Sequence, residues 1–93
     1  MKLSVVSLKG VEFEGEIKSL NLKTTSGEIT VLDNHRPIIT ALAKGPAVII
    51  KSDGETFNID IESGFLEVNE NNQASILAGV TTHRPEKPLL SSF

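Results

Sequence analysis

The fold is decided by a stretch that reads GEITVLDNHRPIITALAKG and runs from Gly27 to Gly45. Its first part alternates apolar with polar residues, Ile29 and Val31 being apolar, which predicts a half-buried strand. A polar turn follows, and then a second apolar segment, 38–44, which also fits one face of a short helix. Because Pro37 and Gly45 limit this segment to roughly seven residues, which is short for a helix, a second strand is favoured.

The same period of two recurs in the second half of the chain, where apolar residues alternate with polar ones. The alternating apolar positions are Phe57, Ile59, Ile61, Ala74, Ile76 and Ala78. Asp53-Gly54 lies between two such runs and is a strong hairpin signal, and the polar stretch 69–72 marks a second turn. About eight to ten short strands without a convincing helix predict an all-β fold, a two-sheet β-sandwich.

The segment from Val11 to Leu22 predicts a long strand with a bend. Its apolar residues stand at odd positions as far as Ile17 and at even positions from Leu20, so the buried face changes across Lys18-Ser19. Such a phase change turns every side chain to the opposite face, and a β-bulge is the usual remedy. The strand is therefore expected to bulge there and to cross from one sheet to the other.

Composition indicates an ordinary globular domain and argues against several functions. The chain has 93 residues with Phe as its only aromatic type, so its core must rest on Val, Ile and Leu, which favours strands. A net charge of −3 and scattered basic residues argue against nucleic-acid binding. There is no cysteine, which excludes disulfides and thiolate metal sites.

Catalytic motifs are absent from the sequence, which has neither Gly-x-Ser-x-Gly nor a glycine-rich phosphate loop. The residues assigned to structural turns are Gly15, Gly27, Pro37, Gly45, Asp53, Gly54 and Gly64. Asp33 and His35 are residue types that could form an acid–base pair or serve as two metal ligands. The simpler interpretation of residues 33–37 is a turn in which the Asp and Asn side chains hydrogen-bond to the local backbone. Neither a metal nor a cofactor is predicted.

The start of the chain and its tail each give an expectation. The start has one positive charge and is interrupted by serines, so no signal peptide is predicted, and no apolar run approaches the ~20 residues that span a bilayer. Residues 1–80 are expected to form the sandwich. Residues 81–93 are expected to be a loose tail, because Pro85 and Pro88 oppose a helix that includes both.

Three motifs in order resemble one family. The segment Phe13-Glu14-Gly15-Glu16-Ile17, the stretch from Gly27 to Gly45, and Ser63-Gly64-Phe65-Leu66-Glu67-Val68 are similar to the N-terminal β-sandwich of the epsilon subunit of F-type ATP synthases, called delta in mitochondria. The resemblance covers roughly Lys2 to Val80. One departure lies in 23–26, which reads Lys-Thr-Thr-Ser where the family usually has a proline and often a glycine.

The resemblance implies a non-catalytic subunit of the central stalk. It would bind the gamma subunit and the membrane rotor ring, and so couple proton or sodium movement to ATP synthesis. Its place would be peripheral, at the cytoplasmic face of the energy-transducing membrane, with membrane contact only through the complex. Full-length members carry a C-terminal helical hairpin with an inhibitory role, and the tail here is expected to lack it.

The resemblance also assigns residues to the two partners. Glu28 would face the ring with Asp33, Asn34 and His35 flanking it, whereas Ser7 and Thr40 would face gamma. The simpler interpretations are that Glu28 is a solvated charge, that 33–35 is only a turn, and that Ser7 and Thr40 occupy the outward side of strands.

Two other classes of function stay open at this point. A small β-sandwich that binds a carbohydrate or carries a prosthetic group has the same architecture. Carbohydrate binding normally needs exposed Trp or Tyr platforms, which are missing. A biotinyl or lipoyl carrier needs a lysine at a hairpin tip, and the Asp53-Gly54 tip has only Lys51 nearby. An enzyme would need a substrate pocket around Asp33 and His35.

Overall fold

Alternating Val, Ile and Leu residues build nine strands in the part of the chain that the computed structural model describes, residues 1–79 and 81–84. They are β1 (Lys2–Ser7), β2 (Gly10–Thr24), β3 (Gly27–Leu32), β4 (Ile38–Leu42), β5 (Gly45–Lys51), β6 (Thr56–Ile61), β7 (Gly64–Val68), β8 (Gln73–Ala78) and β9 (Thr81–Arg84). The predicted all-β class and strand number are confirmed. The segment that also fitted a helix is strand β4.

Strand β2 organises the fold because it belongs to two sheets. Its first half pairs with β1 and its second half pairs with β3 and β5. Between the halves, Ile17 faces Lys51 and Ser19 faces Ile50, so Lys18 is an extra residue in the ladder with β5. The predicted bulge is therefore confirmed. It moves the buried side of β2 from Ile17 to Leu20 and Leu22.

The first sheet has the order β2-β1-β8-β7-β4, and the second has the order β3-β2-β5-β6-β9. All described pairings are antiparallel except that of β1 with β8, which is parallel. Strand β4 returns to β2 at one position, where Leu42 faces Thr24. The two sheets are thus joined along β2 and at this corner.

The core lies between the sheets and consists almost entirely of aliphatic side chains. The largest fully buried ones are Leu3, Val5, Leu20, Leu22, Val31, Ile49, Ile59, Leu66, Val68 and Ile76. Phe13 and Phe57 are only partly buried, and their ring centroids lie 5.3 Å apart, so the aromatic pair packs at the margin of this core. The predicted inward alternation of β3, β6 and β8 is confirmed.

Hairpin turns lie at both predicted sites. Gly54 has a φ of 93° and its amide donates to the Lys51 carbonyl, while the Asp53 carboxylate accepts from the Glu55 amide. The 69–72 turn closes on Asn69, whose side-chain oxygen accepts from the amides of residues 71 and 73. Aspartate and asparagine thus supply the local acceptors that tight turns need.

Four of the glycines assigned to turns lie within strand bounds: Gly15 inside β2, and Gly27, Gly45 and Gly64 at the first positions of β3, β5 and β7. Gly15 pairs with Leu3 inside β2, where space for a side chain is available. Gly64 is the first residue of β7 and faces Ala78. A Cβ atom on Gly64 would lie 2.4 Å from the Leu77 carbonyl oxygen, so this glycine permits the close approach of β7 to β8.

The second sheet extends beyond the predicted domain boundary at residue 80, because it includes β9. Thr81–Arg84, which the sequence assigns to the tail, forms β9 and pairs with Ile61–Asn58 of β6. The exposed edge of β6 explains this, since its backbone groups need partners. The remaining tail, 85–93, and with it the expected absence of a helical hairpin, lies outside the described residues.

Candidate functional site

The outer face of the first sheet carries a row of apolar side chains. Residues that face each other across five neighbouring strands form this row, and they are Val11, Val6, Leu77, Phe65 and Ala41. Val11, Leu77 and Phe65 are 66%, 63% and 58% exposed, so the row lies open to solvent. We call these five residues the apolar row. Contiguous exposed apolar surface on a small domain marks an interaction site more often than isolated residues do.

A second row runs beside the first, two residues away on β1, β8, β7 and β4 and three residues away on β2. It consists of Glu14, Ser4, Ser75, Glu67 and Ile39 and is called the acid–serine row. Ile39 is 75% exposed and adds to the apolar surface at the β4 edge. Among the described residues, neither Glu14 nor Glu67 has an ion-pair partner. The face is therefore apolar along one line and acidic along the next.

A β-bulge at Glu12 places Val11 in the apolar row. Val5 faces Phe13 while Val6 faces Val11, so Glu12 is an extra residue in the ladder between β1 and β2. The bulge turns Val11 outward although Phe13 points inward. The sequence assigned Val11 to the buried side with Phe13, and this assignment is wrong because the second bulge had no sequence signal.

Ser7 and Thr40 do not lie on this outer face. Ser7 is on the same side of β1 as Val5 and is 8% exposed; its hydroxyl donates to Glu12 at 2.7 Å and accepts from the Lys9 amide. Thr40 is half-buried on the side of β4 that carries Leu42. The interpretation of both residues as outward-facing is therefore wrong for this structure. Their outward neighbours in sequence, residues 6 and 39, are the exposed ones.

Three recesses line the outer face of the first sheet. One of about 320 Å³ lies over the middle of it, between Val6, Ile39, Phe65, Glu67 and Leu77. The second, about 450 Å³, adjoins it at the Pro37 end, and the third, about 480 Å³, at the Gly79 end. Their linings include no lysine, arginine or histidine. None of the three is lined by Asp33 or His35, so they do not form the substrate pocket that an enzyme would need there.

Glu28 lies at the end of the sandwich formed by the β2–β3 turn. Its carboxylate is 4.0 Å from the Lys23 ammonium group, and both side chains are half exposed. The turn itself is closed by Thr24, whose hydroxyl donates to the Gly27 carbonyl at 2.7 Å and accepts from the Ser26 amide. Thr24 thus closes the turn in the segment 23–26, where the sequence departs from the family that it resembles.

Asp33, Asn34 and His35 lie at the opposite end of β3. The strand between Glu28 and Asp33 is extended, which separates the Cα atoms of the two residues by roughly 16 Å at ~3.3 Å per residue. The expectation that the three residues flank Glu28 is therefore wrong. Strand β3 holds them at different ends of the sandwich.

The Asp33–Asn34 turn is tied to two distant segments. The Met1 amino group donates to the Asp33 carboxylate at 2.5 Å, and the Asn34 amide donates to the Asn72 side chain at 2.7 Å. The hydrogen bond from Met1 lowers the pKa of Asp33, and the Asp33 carboxylate raises the pKa of the amino group. His35 places its Nδ1 atom 2.7 Å from the Arg36 carbonyl oxygen, as expected for a turn residue.

Metal ligands do not cluster in the part of the chain that the structure describes, where no group of three histidine, aspartate or glutamate side chains could hold an ion. Within the same residues, no helix is long and apolar enough to cross a membrane.

Sequence comparison identifies relatives over nearly the whole chain. Residues 1–83 match the family described as the ATP synthase delta/epsilon chain, beta-sandwich domain. The chain is 35% identical over 79 residues to the ATP synthase epsilon chain of Sulfurovum sp. (strain NBC37-1), an alignment that covers 85% of this chain and 62% of that one. It is 36% identical over 87 residues to that of Shouchella clausii (strain KSM-K16), covering 94% and 63%. The chain spans about three fifths of the length of these relatives.

Solved structures support the fold. A chain of the mitochondrial ATP synthase of Euglena gracilis, from an OSCP/F1/c-ring structure, superposes with a TM-score of 0.81 at 22% identity, covering 87% of this chain and 51% of that one. A chain from the central stalk and c-ring of the Tetrahymena thermophila enzyme gives 0.73 at 15% identity, with 88% and 65% covered. The fold and the sequence agree, and the chain belongs to the family of ATP synthase delta/epsilon chains through their β-sandwich domain.

Proposed function

We propose that this chain is a non-catalytic rotor subunit of an F-type ATP synthase that binds the gamma subunit through the outer face of its first sheet. The observation that carries the proposal is the exposed apolar row. Burying Leu77, Phe65 and Val11 against a partner removes apolar area from water, at roughly 25 cal/mol per Å². The Tetrahymena thermophila relative comes from a structure of the central stalk and c-ring, which supports a place in the rotor.

The rotor ring is assigned to the end of the sandwich that carries Glu28. Here the Glu28 carboxylate is half exposed beside a short turn and lies 4.0 Å from the Lys23 ammonium group. Glu55, in the β5–β6 turn at the other end, is likewise exposed and lies 3.3 Å from Lys51, so the choice of end rests on the family resemblance of Glu28. An exposed charge of this kind gives orientation and association rate more than affinity. The subunit would then transmit rotation driven by protons or sodium ions, lying peripherally at the cytoplasmic face of the membrane through its partners.

The gamma contact is tested by replacing one exposed apolar residue on each sheet. Leu77→Ser changes the apolar row, and Leu32→Ser changes a residue of the second sheet that is similarly exposed, 55% against 63%. We expect the cognate gamma subunit to co-elute with wild type and with Leu32→Ser at micromolar concentration, and not to co-elute with Leu77→Ser. Equal co-elution of both variants would move gamma to another surface, and failure of wild type would refute the assignment to the rotor.

The ring contact is tested by charge reversal at the two ends. Glu28→Lys lies at the proposed ring end, while Glu55→Lys lies in the β5–β6 turn at the other end and makes the same change in net charge. We expect Glu28→Lys alone to reduce retention on purified rotor rings at low salt, where exposed charges are least screened. Equal retention of the two variants would remove Glu28 from the interface.

A further inference from the structure

We propose that the partner element that covers the outer face of the first sheet is an amphipathic helix with a basic flank. The apolar stripe of this helix would lie along the apolar row, and two lysine or arginine side chains would lie over Glu14 and Glu67. The inference rests on the proposed binding of gamma and specifies the chemistry of the segment that gamma presents.

The dimensions of the apolar row favour a helix that lies across the strands. The row passes over five strands, which at ~4.8 Å between strands gives a length of roughly 19 Å. A helix covers this distance with about 13 residues, or between three and four turns. One face of such a helix presents a continuous apolar stripe, which an extended strand with its period of two does not.

The acid–serine row supplies the charge complementarity. Glu14 and Glu67 stand three strands apart, about 14 Å, which is close to three turns of a helix. Both carboxylates are exposed, and among the described residues neither is paired. Lys2 is the basic residue on this face of β1, and it lies one row further away, opposite Glu16. Neither row contains a lysine or arginine, and acids beside the apolar row therefore favour a cationic flank on the partner.

The central recess lies beside Glu67 and could receive a basic side chain of the partner helix. Val6, Ile39, Phe65 and Leu77 form apolar walls, and Glu67 with Ser4 and Ser75 forms the polar side. Lysine and arginine combine an apolar stem with a charged end, so either fits walls of this kind. At about 320 Å³ the recess has room for a side chain of that length.

The test compares carboxylate-to-amide substitutions on the outer face of the first sheet with the same kind of substitution on the second sheet. Glu14→Gln/Glu67→Gln removes both carboxylates of the acid–serine row, and Glu55→Gln with Asp60→Asn removes two acids from the second sheet and its turn. Affinity for the purified cognate gamma subunit is measured at low and high salt. We expect the first pair to weaken binding by about 3–10-fold at low salt and to flatten its salt dependence, and the second pair to match wild type.

The outcomes separate this inference from the function on which it rests. If wild type binds gamma and Leu77→Ser does not, but Glu14→Gln/Glu67→Gln retains the affinity and salt dependence of wild type, the basic flank is refuted and the rotor assignment stands. If wild type does not bind gamma, both fail. Hydrogen exchange in gamma supplies the second readout: protection of one helix with two basic residues about three turns apart is expected, and protection confined to a strand or loop overturns the proposal.

Discussion

Replacing Gly64 by alanine should destabilise the domain far more than the same change at Gly15. The added Cβ atom at position 64 would lie 2.4 Å from the Leu77 carbonyl oxygen and 2.9 Å from the Ala78 Cα atom. Both are backbone atoms of β8, so no side-chain rotation relieves the contact. Restoring an ordinary separation requires β7 and β8 to part by about 1 Å.

The magnitude follows from that displacement. Overpacking of a well-packed site costs about 1–3 kcal/mol, and each weakened hydrogen bond between the strands adds about 0.5–1.5 kcal/mol. A loss of roughly 2–4 kcal/mol is expected from a total of ~5–10 kcal/mol. For a domain of this size, that corresponds to a decrease in Tm of roughly 10–25 °C.

Urea unfolding followed by far-UV circular dichroism measures the effect, because the chain has no tryptophan or tyrosine for fluorescence. Gly15→Ala is the matched control: it also lies in a strand, and its Cβ atom would meet only the Phe13 ring at 3.7 Å. We expect that variant to be within about 1 kcal/mol of wild type. A Gly64→Ala midpoint equal to that of Gly15→Ala would refute the close approach of β7 and β8.

Three further predictions concern the core and the N-terminal end. Ile59 is fully buried, so Ile59→Ala should lower the free energy of unfolding by about 2–5 kcal/mol in the same urea assay; an unchanged midpoint would contradict its burial. Asn72 combines a φ of 60° with the hydrogen bond from the Asn34 amide, so Asn72→Gly should cost about 1 kcal/mol and Asn72→Ala about 1 kcal/mol more; equal losses would show that the backbone conformation contributes nothing. The lowered pKa of Asp33 adds stability that is fully present above pH 3.8 and is lost as pH falls through the lowered pKa. The raised pKa of the Met1 amino group adds stability that is fully present below pH 8.0 and is lost as pH rises through the raised pKa. Asp33→Asn should flatten the stability profile in both ranges, and a profile that stays parallel to wild type would exclude the pair.

The strands were predictable because the core is aliphatic and most strands have one solvent-exposed face, so that apolar and polar residues alternate along them. The bulge at Lys18 was visible since the apolar residues change parity there, from Ile17 to Leu20. The bulge at Glu12 was not, because Val11 and Phe13 are both apolar at odd positions and only the structure shows that they point to opposite sides. A period of two cannot reveal a shift when both candidate faces are apolar.

The interaction surface was less predictable than the fold for a related reason. The apolar row is made of residues from five strands whose order in the sheet differs from their order in the chain. Signals were present singly, such as Leu77 on the otherwise polar side of β8 and the adjacent pair Ile38 and Ile39. They acquire meaning only when the register brings Leu77 beside Phe65. The separation of Glu28 from Asp33 could have been predicted from the length of β3 alone.

Strand β2 also determines how the domain responds to force. Its 15 residues run without interruption from the edge of one sheet into the interior of the other. A partner that pushes on the outer face therefore loads the second sheet through covalent bonds and through ladders on both sides of β2. Sliding of one layer past the other would have to deform β2 or break its ladders with β1, β3 and β5. A twist applied to one sheet is thus passed on as a displacement of the whole body, with little lost to sliding between its layers.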